Sequence, residues 1–221
     1  MTILEIHNLY KKIKGRELLK NITLVIDKPG IYGIVGRNGS GKSLLFKMIA
    51  GLFVPSSGTV SVFGDIIGKG NFPKSFGALL DTPGFLTHYS GFQNLKILAS
   101  IQNKINDKDI ENVLTLVGLD FNDKGPVRKY SLGMRQRLGI AQAIMEKPKL
   151  LLLDEPMNGL DESGVSEMRE MILNFKKQEI TILLASHNPE DIALLCDEVY
   201  KMDAGELALH TINTNRTTQL I

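Results

Sequence analysis

Residues 36–43 read Gly-Arg-Asn-Gly-Ser-Gly-Lys-Ser: a glycine, four residues, then Gly-Lys-Ser, the spacing of a phosphate-binding loop. This octapeptide constrains the fold, because its chemistry works only where a strand runs into it and a helix leaves it. The apolar run 31–35 precedes it and helical spacing over 41–50 follows. Gly36, Gly39 and Gly41 let the backbone turn its N–H groups toward one point, where phosphate oxygens can sit. The helix behind them adds the positive end of its dipole. Arg37, Asn38 and Ser40 complete the nucleotide-binding set, Lys42 can reach the β- and γ-phosphates, and the Ser43 hydroxyl can ligate Mg²⁺.

The rest of the chain alternates strand-like and helix-like segments, which predicts an α/β domain with a mainly parallel sheet. A strand starts near the amino terminus, at 1–6, and a β-rich run over 22–26 closes on Pro29-Gly30. An antiparallel strand is expected over 59–63, between glycines. Residues 90–143 read as successive helices, with Ser90, Asn106 and Ser131 as N-caps. Leu150-Leu151-Leu152-Leu153 suits a strand buried on both faces. Helical spacing follows over 163–175, a buried strand over 180–185, and a hairpin over 198–203 and 206–209 around Ala204-Gly205. The expected organisation is a single domain over 1–221, a strand-rich nucleotide-binding core with a helical subdomain inserted at about 82–143 and a polar tail at about 211–221.

Asp154-Glu155 follows the leucine run, and ligands of a parallel sheet gather at the carboxyl ends of its strands. Asp154 would help hold Mg²⁺ and Glu155 would polarise a water for attack on the γ-phosphate. Composition limits the alternatives. A formal net charge of +2 on 221 residues, without a concentrated basic stripe, gives no reason to expect nucleic-acid binding. The one cysteine, Cys196, excludes an internal disulfide and reads as a small buried hydrophobe. No segment approaches the roughly 18 uninterrupted apolar residues that a membrane helix needs, so a membrane role would come through a partner.

Tyr130-Ser131-Leu132-Gly133-Met134-Arg135-Gln136-Arg137 resembles the signature motif of ABC (ATP-binding cassette) ATPases, commonly Leu-Ser-Gly-Gly-Gln, any residue, Gln-Arg; Ser131, Gly133, Gln136 and Arg137 match. Asn158-Gly159-Leu160-Asp161 is similar to the family's D-loop, and His187, after Ser186, to its switch histidine. The resemblance covers about residues 1–210. It implies a RecA-like phosphate-loop core with an antiparallel β subdomain and an inserted helical subdomain. It further implies ATP and Mg²⁺ as ligands, and Glu155 and His187 as catalytic residues. A head-to-tail pair of ATPase subunits, of the same or related chains, would bring Ser131 and Gly133 of one to the γ-phosphate held by the other. A separate transmembrane permease would then hold the pair at the cytoplasmic face of the membrane.

Three departures from the common pattern matter. Leu132 and Met134 give the Ser-Leu-Gly-Met form that resembles ATPases of bacitracin-resistance and lantibiotic-immunity exporters. Asp81 stands where the family has the Q-loop glutamine; its carboxylate suits Mg²⁺, on a shorter stem, and the expectation is that it senses the metal and contacts the membrane partner. The position that usually stacks an aromatic ring on adenine is Ile13, with Tyr10 three residues earlier as a possible substitute, so weak discrimination among purines is expected. Two other readings stay open: a soluble ABC ATPase acting on ribosomes or DNA, and a nucleotide switch that hardly hydrolyses. The single cassette, the lack of room for a coiled-coil insertion and the signature form speak against the first, and Glu155 with His187 against the second.

Overall fold

The computed structural model describes residues 2–81 and 84–210. The expected polar tail at 211–221, and Thr82 and Pro83 at the start of the expected helical subdomain, lie outside the described residues. Ten strands and six α-helices are present among the described residues. Strands β1 (Leu4–Ile13), β2 (Arg16–Ile26), β4 (Ser57–Val62) and β5 (Asp65–Ile66) form an antiparallel sheet in the order β2-β1-β4-β5. Strands β3 (Ile31–Val35), β6 (Phe76–Leu79), β7 (Leu150–Asp154), β8 (Thr181–Ala185), β9 (Glu198–Asp203) and β10 (Glu206–Leu209) form a second sheet in the order β10-β9-β3-β8-β7-β6. That sheet is parallel except for the β9–β10 hairpin.

The leucine run makes the core a two-sided one. Successive side chains of a strand point to opposite faces. In β7, Leu151 and Leu153 enter one apolar cluster with Leu184 of β8, while Leu150 and Leu152 enter another with Leu183. The first cluster is completed by α2 (Gly91–Gln102), α3 (Asp107–Leu116), α4 (Leu132–Ile144) and α5 (Glu162–Lys177). The second is completed by the antiparallel sheet and α1 (Lys42–Ile49). The large sheet is therefore sandwiched, and the carboxyl ends of β3, β7 and β8 emerge between the two layers.

Local chemistry sets the helix boundaries. Ser90 and Asn106 each form a capping box, with Gln93 and Asp109 reaching back to the cap N–H. Ser131 accepts from Met134 N at the start of α4. The α1 helix is one residue shorter at each end than expected, because Gly41 and Ala50 are its caps. Strand β2 begins at Arg16, not residue 22, and β1 continues to Ile13. Three elements were not anticipated: the two-residue β5, β6, and the short helix α6 (Pro189–Leu195), which Asn188 caps and Pro189 opens. Cys196, expected to be buried, is only partly so; burial and the nearby Asp197 and Asp191 still push its thiol up to about 12.

Candidate functional site

The phosphate loop runs from β3 into α1 as its spacing requires. Its glycines do different work. Gly39 and Gly41 have φ of 80° and 116°, in the region that favours glycine, and a Cβ at Gly39 would meet nothing within 4 Å. Gly36 is a matter of space: a Cβ there would collide with the Met202 carbonyl and crowd the Ser40 hydroxyl. The last hairpin also holds the loop, for Gly205 N donates to Ser40 O at 3.0 Å. Lys42 is 5 % exposed and points back, its Nζ donating to Gly36 O at 2.7 Å and lying 3.7 Å from Glu155 Oε1.

Asp154 closes β7 and lines a cleft of about 380 Å³ together with Lys42, Ser43, Asn38, Arg37 and Glu155. Burial raises its carboxyl above the usual range, a shift opposed by a hydrogen bond from Ser43 and reinforced by the charges of Glu155 and Asp81. Glu155 adopts φ of 51°, and its N–H donates to Ala185 O at 2.9 Å, so the end of β8 fixes its direction. Nδ1 of His187 lies 2.8 Å from Glu155 Oε2. A carboxylate only accepts, so the shared proton belongs on Nδ1. Asp154 Oδ1 and Glu155 Oε1 are both buried without a hydrogen-bond partner. Such oxygens are costly unless something fills the space beside them. With Ser43 adjacent, this donor set fits a hard divalent cation such as Mg²⁺.

Other expected site residues lie apart from this cleft. Ser131 and Gly133 line a second cleft of about 440 Å³, against Gly159, Leu160 and Asp161. Asp161 there caps α5, accepting from Gly164 N at 3.0 Å. Asp81 pairs with Lys47 of α1 at 2.6 Å and is largely exposed. Neither Ile13 nor Tyr10 lines the phosphate-loop cleft; the half-exposed Leu18 does.

One arrangement escaped sequence reasoning. Asp191, 2 % exposed, receives Arg169 Nε and Nη2 of α5 on Oδ1, at 2.8 and 2.6 Å, and Ser186 on Oδ2 at 3.3 Å. Ser186 in turn accepts from Asn188 N at 3.1 Å. The turn carrying His187 is thus anchored from behind by a buried ion pair. Arg169 lies 17 residues before Ser186 and 22 before Asp191, so no local pattern joins it to them.

A sequence model described as "ABC transporter" matches residues 19–158. The uncharacterized ABC transporter ATP-binding protein YybJ of Bacillus subtilis (strain 168) is 45% identical over 206 residues, covering 93% of this chain and 94% of the relative. The bacitracin transport ATP-binding protein BcrA of Enterococcus faecalis is 39% identical over 209 residues, 93% of this chain and 68% of its own. Among solved structures, cbiO1 from Clostridium perfringens, part of the ABC transporter complex cbiONQ, superposes with a TM-score of 0.80 at 29% identity, covering 94% of this chain and 87% of that one.

Proposed function

The chain belongs to the ABC transporter family, and from that premise we propose that it is the ATP-hydrolysing subunit of an exporter whose membrane-spanning part is a separate polypeptide. The observation that supports hydrolysis most is that Asp154 and Glu155 line one cleft with Lys42 and Ser43, with Lys42 Nζ 3.7 Å from Glu155 Oε1 and Asp154 Oδ1 buried without a hydrogen-bond partner.

Each residue then has a task. The loop N–H groups and the start of α1 bind the phosphates. Lys42 exchanges the Gly36 carbonyl for phosphate oxygens. Ser43 and Asp154 would hold Mg²⁺, with Asp81 near enough to affect the Asp154 charge; when bound, the ion neutralises charge on the β- and γ-phosphate oxygens. Glu155 takes the proton of the attacking water. His187 engages Oε2 of that carboxylate and Lys42 Nζ lies 3.7 Å from Oε1, so both neighbours orient the base. Ser131 and Gly133 belong to a separate cleft of the same chain, so they serve a γ-phosphate held by a second ATPase subunit, in a head-to-tail pair with two ATP molecules between them.

The whole chain acts as one ATPase domain with its helical insertion at about 82–143. No helix among the described residues is long and apolar enough to cross a membrane; the subunit sits at the cytoplasmic face, peripheral through its permease. The cargo class, an antimicrobial peptide or similar amphipathic molecule moved outward, is supported by the Ser-Leu-Gly-Met signature and the likeness to a bacitracin transport ATPase.

The test is Mg-ATP hydrolysis by the purified chain and its Glu155→Gln variant, with size followed on a column. The expected result is loss of hydrolysis by about 10²-fold or more and an ATP-dependent dimer in the variant. If the parent needs its permease to turn over, co-expression restores activity. A variant as active as the parent, or one that stays monomeric with ATP, would overturn the reading.

A further inference from the structure

We propose that Tyr130, which stands where the common signature has leucine, is a positioning residue that locks the segment 86–90 to Ser131, so that both move as one piece. The inference rests on the functional reading above, in which Ser131 meets ATP on a second subunit.

Gly91 is the first residue of α2, and the first N–H groups of a helix have no partner inside it. Ser90 and Gln93 satisfy each other in the capping box. Buried Gly91 N instead donates to the Tyr130 hydroxyl, at 3.3 Å, from 39 residues away. The fit is tight, because a Cβ on Gly91 would lie 2.9 Å from that hydroxyl. Tyr130 is itself 6 % exposed, and burial raises its phenol above the usual range.

Two further bonds run beside this one. Val127 N donates to Tyr89 O at 2.9 Å and Arg128 N to Thr87 O at 3.1 Å. Buried Asn94 ties the segment down from α2, bonding both the N–H and the carbonyl of Leu86. On the other side, Arg135 Nη1 donates to Tyr130 O at 2.5 Å, fixing the peptide that leads into exposed Ser131. The path from Leu86 and Tyr89, which are 49 % and 45 % exposed, to Ser131 therefore has no loose joint. A load applied at those side chains reaches the residue that contacts the neighbouring subunit's ATP.

The experiment uses the full chain in the Glu155→Gln background, comparing Tyr130→Phe, Gly91→Ala and the pair. Tyr130→Phe should speed exchange of the Gly91 amide and weaken the ATP-dependent dimer roughly five- to tenfold. Binding of a fluorescent ATP analogue to the monomer should not change, because the phosphate loop lies elsewhere. Gly91→Ala should weaken the dimer alone, yet add little on top of Tyr130→Phe, since the hydroxyl it strikes is gone. This variant also carries the test should Tyr130→Phe fold poorly. A purely structural role would lower melting temperature without this separation of monomer binding from dimer affinity. If Glu155→Gln alone fails to dimerise, the functional reading falls and this inference with it. If it dimerises and the variants dimerise equally well, the inference alone is overturned.

Discussion

Asp191→Ala should destabilise the protein by about 2–3 kcal/mol, and the geometry shows why the figure is not larger. Removing one member of a buried ion pair typically costs about 3–5 kcal/mol, because the other charge is stranded. Arg169 is 18 % exposed, and its Nη2 keeps Glu190 Oε2 at 3.0 Å. It therefore loses two charge-assisted bonds, at 2.8 and 2.6 Å, without becoming isolated. Ser186 loses an acceptor but still receives Asn188 N. For a chain of 221 residues, the loss corresponds to a melting-temperature drop of roughly 4–12 °C. Urea titration monitored by circular dichroism gives the free energy directly, with an unchanged slope if the unfolded state is unaffected. Arg169→Met strands the deeply buried Asp191 and should cost more, about 3–5 kcal/mol. The double variant should cost much less than the sum, the signature of coupled partners. A loss below about 0.5 kcal/mol in Asp191→Ala, or simple additivity, would refute the reasoning.

Three other perturbations follow from the site. Asp154→Asn should abolish hydrolysis while raising the nucleotide-free melting temperature at pH 7. The folded-state pKa of Asp154 is raised, so the penalty of its charge is full at neutral pH and disappears as the group protonates; the variant's advantage should be gone below about pH 4. Asp81→Ala should change stability by less than ~1 kcal/mol, since its pair with Lys47 is exposed, yet impair ATPase or transport; both intact would remove Asp81 from the mechanism. Competition between ATP and GTP should show affinities within about tenfold, less than ~1.4 kcal/mol apart, since among the described residues no aromatic ring lines the phosphate-loop cleft; a large ATP preference would contradict this.

The parts of the fold legible in the sequence are those written in local chemistry. The phosphate loop, the leucine strand and the caps at Ser90, Asn106 and Ser131 depend on neighbours within a few residues. Strand β1 was only half visible because its pairing with β2 shifts register after Ile6, Leu9 and Lys11, and Asn8 has φ of 43°. Those irregularities break the period of two on which strand reading depends. Strand β6 is four residues long and carries Gly77, whose role is to let the Ala143 carbonyl approach. Helix α6, seven residues long, is too short for helical periodicity to register. At the site, the phosphate loop and the acidic pair could be read because spacing encodes them. Leu18 beside the phosphate loop and the Asp191 network could not, because long-range packing brings them there.

The pairing order of the large sheet also bears on how the molecule is made. Strand β3, which leads into the phosphate loop, lies between β8 and β9, and the tip of the next hairpin holds Ser40. All of these supports come from residues 181–205, although the phosphate loop itself ends at Ser43. During synthesis the loop emerges early and waits for most of the remaining chain before its strand gains either neighbour. A fragment that stopped after His187 would contain every recognisable motif and still lack the β9 edge that β3 requires. The frame of the phosphate loop is thus completed late in the chain, set by topology and not by the position of the motif.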